Sequence, residues 1–128
     1  MPLVRIALLK GTPEAQRTLI SNAVHQALVE TISIPAQDRF QVITEHSAAD
    51  FVFDPSYLNI QRTQNLVMVQ VTISAGRSLE IKKSLFKRMA ELLNQLAGVR
   101  KEDVMINLVE VLKENWSFGN GEAQYVMQ

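Results

Sequence analysis

Two stretches of this chain, 65 residues apart, carry the same order of residue types, and an internal repeat constrains architecture more than any local signal. Gly11 matches Gly76, Arg17 matches Lys82, Ile20 matches Leu85 and Val24 matches Met89. The register continues without a gap through Ala27/Leu92, Leu28/Leu93, Ile34/Val99, Gln37/Glu102 and Asp38/Asp103. Whatever unit the first stretch forms, the second has to form again.

Each copy reads as strand, helix, strand. Leu3 to Leu9 is almost continuously apolar and Gly11 breaks it. Thr12 can N-cap the following helix, and Pro13 suits a first helical position. Ala15, Leu19, Ile20, Ala23, Val24, Ala27, Leu28 and Ile32 then recur at the spacing of one helical face. Pro35 ends that element, and FQVITE supplies the next strand. In the second copy VMVQVTIS is a strand, Gly76 ends it, and Ser78 is the expected N-cap. Ile81, Leu85, Met89, Leu92, Leu93 and Leu96 form the stripe, Gly98 is a natural stop, and DVMINLVEV is the last long strand. A strand–helix–strand unit makes its two strands parallel with a right-handed crossover. The expected fold is therefore an α+β two-layer sandwich of tandem β-α-β repeats. The chain is expected to form one domain, with repeat one at about 2–45, repeat two at about 66–110 and a C-terminal arm at 111–128.

Two helices cover one face of such a sheet. The other face would carry Met68, Gln70 and Thr72 with Met105, Asn107 and Val109, a semi-polar surface suited to a partner sheet. The expectation is an oligomer packed through it. The turn-rich HSAADFVFDPSYLNIQRTQN and the terminal ENWSFGNGEAQYVMQ read as extended arms or hairpins.

Charge narrows the partners. Thirteen Lys and Arg balance thirteen Asp and Glu, with no basic stripe, so neither nucleic acid nor anionic membrane is expected as a partner. The absence of cysteine removes disulfides and thiolate chemistry. No apolar stretch approaches the roughly 20 residues of a membrane span. With no signal-peptide pattern, a cytoplasmic location is expected. His25 and His46 lack further ligands at metal spacing and read as ordinary histidines. No phosphate loop, nucleophile elbow or zinc motif is present.

The chain opens MPL, and a proline is tolerated at the first residue of a strand because its missing N–H matters least there. That opening, IPAQDRFQ at 34–41, ISAGRS at 73–78 and WSFGNGEAQY at 116–125 together resemble the tautomerase superfamily, more closely its malonate semialdehyde decarboxylase-like group. The resemblance covers the whole chain. It implies a tautomerase-like sandwich assembled as a homotrimer, no cofactor and no metal, and catalysis by the N-terminal proline.

The chemistry fits proline. Once Met1 is removed, Pro2 presents a secondary amine. An α-amino group titrates near about 8, and burial or a neighbouring cation lowers that value. A lowered amine is a general base at neutral pH, able to move a proton beside a carbonyl. The resemblance assigns Asp38 as the second catalytic residue, orienting substrate or activating water; otherwise it caps a turn, as Asp103 is expected to. Arg77, just ahead of a helix N-terminus, can grip a carboxylate bidentately. Trp116, Phe118 and Tyr125 match the aromatic wall of the family's pocket, although Phe118 and Tyr125 suit core or subunit packing equally well. Arg39 is expected to be a surface salt-bridging residue.

One departure separates the possible activities. Where the decarboxylases place R-P-R, this chain has Ala75-Gly76-Arg77. Loss of one cation disfavours decarboxylation of malonate semialdehyde. The reading is therefore a keto–enol tautomerase acting on a small 2-oxo acid or enol. A decarboxylase- or hydratase-like lyase is the first alternative, and a non-catalytic binding module the second.

Overall fold

The computed structural model describes residues 1–127. Its main elements are β1 (Leu3–Leu9), α1 (Glu14–Ile32), β2 (Gln41–His46), β3 (Val67–Ser74), α2 (Leu79–Ala97) and β4 (Val104–Val111). The four strands form one sheet in the order β2-β1-β3-β4. Within each repeat the strands are parallel, and β1 and β3 join the repeats antiparallel at the centre. This is the α+β two-layer sandwich of tandem β-α-β repeats expected from the sequence. The helices keep the 65-residue offset at both ends.

The core lies between the helices and one sheet face. Val4, Ile6 and Leu8 of β1 and Val67, Val69, Val71 and Ile73 of β3 meet Ile20, Val24, Ala27 and Leu28 of α1 and Leu85, Met89, Leu92 and Leu93 of α2. The alternation read from VMVQVTIS is the alternation observed, because successive strand side chains take opposite faces. The helical stripes are narrower than their pattern suggests. Leu19, Ile81 and Leu96 sit on the margins and are exposed.

Two local expectations are corrected and one is narrowed. Thr12 does not cap α1: its hydroxyl donates to the Leu9 carbonyl at 2.9 Å, and Pro13 occupies the N-cap position, one residue before the helix, without a side-chain bond. Ser78 does cap α2, accepting from the Ile81 N–H at 3.2 Å. The two long segments outside the repeats are arms with short 3-10 turns, at 48–50, 57–59, 113–115 and 124–126, and contain no hairpin among the described residues. Arg39 makes no salt bridge among the described residues; it donates instead to Ser21 and Asn22 at 2.7 and 2.8 Å.

Candidate active site

The pairing register builds the site. In the parallel pair Val4 faces Gln41, so stepping back along both chains sets Met1 beside Asp38. In the antiparallel pair Leu3 faces Thr72, so the same residue comes opposite Ser74. The Val4 N–H donates to the Phe40 carbonyl at 2.9 Å and fixes the head of β1 between the two neighbours. Pro2 is buried there. The start of the chain thus enters a slot formed by the approach to β2 and the exit from β3.

The side chains converge on that slot. The Met1 amine pairs with Asp38 Oδ2. Burial, and then the Arg77 cation, push this amine down from 8.0 to about 6, while the adjacent carboxylate pulls the other way. Arg77 spends Nη1 on the Ser74 carbonyl at 3.0 Å and makes no salt bridge among the described residues. Its turn is braced by the Ala75 N–H donating to the Val111 carbonyl at 2.8 Å and by a Lys82–Glu110 pair at 2.7 Å. Gly76, at φ +123°, makes that reversal in a backbone region side chains rarely adopt.

The third wall arrives after β4. Trp116 Nε1 donates to Ser74 Oγ at 3.2 Å, and Ser74 Oγ lies 3.5 Å from Met1 Sδ. Phe118 stacks on Trp116 with centroids 5.4 Å apart. Tyr125 meets Phe118 edge-on at 4.9 Å and Phe40 lies 5.9 Å away from it. Burial holds the Tyr125 hydroxyl above its ordinary range. The structure therefore gathers Pro2, Asp38, Arg77 and Trp116 around one point, with Phe118 and Tyr125 forming a second layer behind Trp116. His25 bonds to the Ala36 carbonyl at 2.7 Å and His46 to Thr44 at 2.9 Å, away from the slot. No group of three or more potential metal-ligating side chains occurs among the described residues.

Sequence reading missed Ser74 and Phe40. By strand alternation Ser74 falls on the open face with Thr72, yet it is only 4% exposed because Met1 and Trp116 cover it. A distinct cleft of about 440 Å³ opens at the opposite end of β1 and β3, beside Lys10, Thr12, Asn65 and Asp103. It contains none of the converging groups. Met1 itself fills the slot at the first end, so chemistry rather than empty volume marks the site.

Comparison with known proteins points to one family. Two models described as "Tautomerase enzyme" match residues 38–119 and 2–59. The probable tautomerase YusQ of Bacillus subtilis (strain 168) is 40% identical over 126 residues, covering 98% of this chain and 99% of that protein. The probable tautomerase YrdN of the same organism is 34% identical, covering 98% and 97%. Among solved structures, FG41 malonate semialdehyde decarboxylase inhibited by 3-bromopropiolate is 42% identical with a TM-score of 0.91, covering 97% of this chain and 94% of that one. A fused 4-OT symmetric trimer, 23% identical with a TM-score of 0.79 over 98% of this chain and 99% of that one, shares the fold.

Proposed function

This chain belongs to the tautomerase family, and from that premise we propose how its site works as a cofactor-independent keto–enol tautomerase. The family makes it an enzyme of the isomerase type. Removal of Met1 leaves the Pro2 secondary amine at the head of β1, in a slot where burial and the Arg77 cation already lower the Met1 amine. The same two influences would favour the neutral form of a Pro2 amine, which then serves as base. The substrate is a small 2-oxo acid or its enol. Arg77, with no carboxylate partner among the described residues, receives the carboxylate. Pro2 nitrogen takes a proton from C3; the C3–H pair becomes the C2=C3 bond, the carbonyl pair moves to the C2 oxygen, and that oxygen takes the proton back from the Pro2 ammonium, restoring the neutral amine. Asp38 orients the amine or the substrate, and Trp116 excludes water from one side.

The observation that supports this most is the placement of a lowered terminal amine between Asp38 and Arg77. Ketonisation of enolised phenylpyruvate by Met-free protein tests it. Pro2→Ala is expected to lose about 10²-fold or more in rate; equal rates remove Pro2 from the mechanism. The lyase reading draws on the 42% identity to a malonate semialdehyde decarboxylase. It needs a protonated amine and strong carboxylate binding, whereas the slot's burial and the Arg77 cation oppose a charged amine and one arginine stands alone. Little or no carbon dioxide is therefore expected from malonate semialdehyde, and brisk release would make the lyase reading the better one.

The two repeats and the C-terminal arm act as one domain in this proposal. The assembly is a homotrimer packed through the open sheet face, where Met105 and Val109 are exposed. No helix among the described residues is long and apolar enough to cross a membrane, and a cytoplasmic location suits the cysteine-free composition.

A further inference from the structure

We propose that the Ser74 hydroxyl is the donor that binds the C2 oxygen of the substrate as it gains charge. The inference rests on the tautomerase reading of the same site. Enolate formation places negative charge on that oxygen, and a donor aimed at it in advance is the largest single aid such a site can offer. The other groups are already committed. Asp38, when ionised, only accepts. Trp116 Nε1 donates to Ser74 Oγ, and Arg77 divides its nitrogens between the Ser74 carbonyl and an incoming carboxylate.

Ser74 is 4% exposed, and its hydroxyl is ordered on both sides. The indole N–H occupies an acceptor position on Oγ, so the hydroxyl hydrogen points elsewhere, toward Met1 Sδ at 3.5 Å. Sulfur is a weak acceptor. When Met1 leaves, this buried donor has lost the acceptor it has among the described residues and faces the volume that the Met1 side chain filled. Leaving a buried donor unmet is costly, so a ligand oxygen placed there is favoured. The indole N–H polarises the hydroxyl and strengthens its donation.

The experiment uses Met-free protein, phenylenolpyruvate for turnover, and oxalate as a planar mimic of a carboxylate beside an enolate oxygen. Trp116 is the only tryptophan in the chain and touches Ser74, so its fluorescence reports oxalate binding. Ser74→Ala is expected to lower kcat by about 10²-fold with KM nearly unchanged, and to weaken oxalate binding by about tenfold. Its pH–rate profile should keep the wild-type acid limb, because the amine's surroundings are intact. Trp116→Phe keeps a ring on Phe118 but removes the N–H; it should give a smaller loss in the same direction. A raised KM with unchanged kcat, or wild-type oxalate binding in Ser74→Ala, overturns the inference. Should Pro2→Ala turn over normally while Ser74→Ala fails, the base reading falls and the Ser74 reading stands. If the wild type turns over no enol, oxalate titration alone decides, and an absence of binding ends the proposal.

Discussion

At one end of the central β1/β3 pair, Met1 and Pro2 enter between Asp38 and the turn from Ser74 to Arg77. At the other end, Leu66 and Val67 enter between Asp103 and the turn from Leu9 to Thr12. The two ends stand 65 residues apart in sequence, position for position. At the first, a half-buried carboxylate meets a chain terminus. At the second, the carboxylate is fully buried and receives the Thr63 N–H at 2.7 Å, the Thr63 hydroxyl at 2.6 Å and Arg100 at 3.4 Å. The segment linking the repeats runs along the wall of the cleft at its own end, with Leu66 1% exposed. Val67 nitrogen is an amide and cannot titrate, and Thr12 stands where Arg77 would. In the proposed mechanism one geometry serves chemistry where the Met1 end enters it, while at the other end it serves stability where the chain runs through it.

The twin aspartates offer the sharpest way to break that contrast. Asp103→Ala removes the buried carboxylate that accepts from the Thr63 N–H and hydroxyl and frees Arg100, so a loss of about 3 kcal/mol is expected, measured as a lowered urea midpoint. Asp38→Ala should leave the midpoint within about 1 kcal/mol, since its carboxylate is partly solvated and meets a chain end. Its loss should appear in turnover, at about 10²-fold in kcat/KM for phenylenolpyruvate. If both variants destabilise equally, Asp38 is a turn-holding residue like its twin, and the functional distinction disappears.

Next in size are the helix C-caps, which the repeat also makes comparable. Gly98 ends α2 at φ 66°, with its N–H on the Asn94 carbonyl, and Ser33 ends α1 at φ 57°. Both adopt the left-handed conformation that suits glycine. No atom lies within 4 Å of a Cβ placed on Gly98, so Gly98→Ala carries only the backbone strain, about 1 kcal/mol. Ser33→Gly should stabilise by a smaller amount, about 0.5 kcal/mol, because it relieves strain but loosens the unfolded chain. Thermal melts of the pair check the signs. Two losses would show that Ser33 is held by its surroundings in a way Gly98 is not.

The same repeat explains what could be read from sequence. Periodicity located both helices and all four strands, because burial on one face imposes it. It could not set the width of a stripe, so Leu19 and Leu96 were read as part of the apolar face although they lie exposed on its rim. Thr12 had the right chemistry for a cap, but its hydroxyl turned back to Leu9 and left Pro13 at that position. The arms resisted reading because 3-10 turns leave no period, and their many turn residues fit hairpins equally well. At the candidate site, Pro2, Asp38, Arg77 and Trp116 were proposed through motifs, and the structure brings them together. Ser74 was not, because strand alternation put it on the open face. Only the register that brings Met1 opposite it, with Trp116 arriving from beyond β4, reveals a buried hydroxyl.

The smallest expected effect tests whether only the first end titrates. In protein that keeps Met1, the folded amine sits at about 6 against 8.0 for the ordinary group. Between those values the unfolded chain holds a proton that the folded chain lacks, so stability rises with pH across that window. Equivalently, the amine's penalty is absent above 8 and grows as pH falls toward 6. Other groups titrate too, and subtracting the melting curve of N-acetylated protein isolates this one. The amine is partly solvated and Asp38 opposes the shift, so the difference should be only a few degrees or less. Arg77→Ala removes a cation that lowers the amine, and the slope should shrink. Asp38→Asn removes the carboxylate that raises it, and the slope should steepen. A slope that survives acetylation belongs to another group, and the buried amine would then have no part in the pH response. The second end has no such test, because the nitrogen of Val67 carries no titrating proton at any pH in this range.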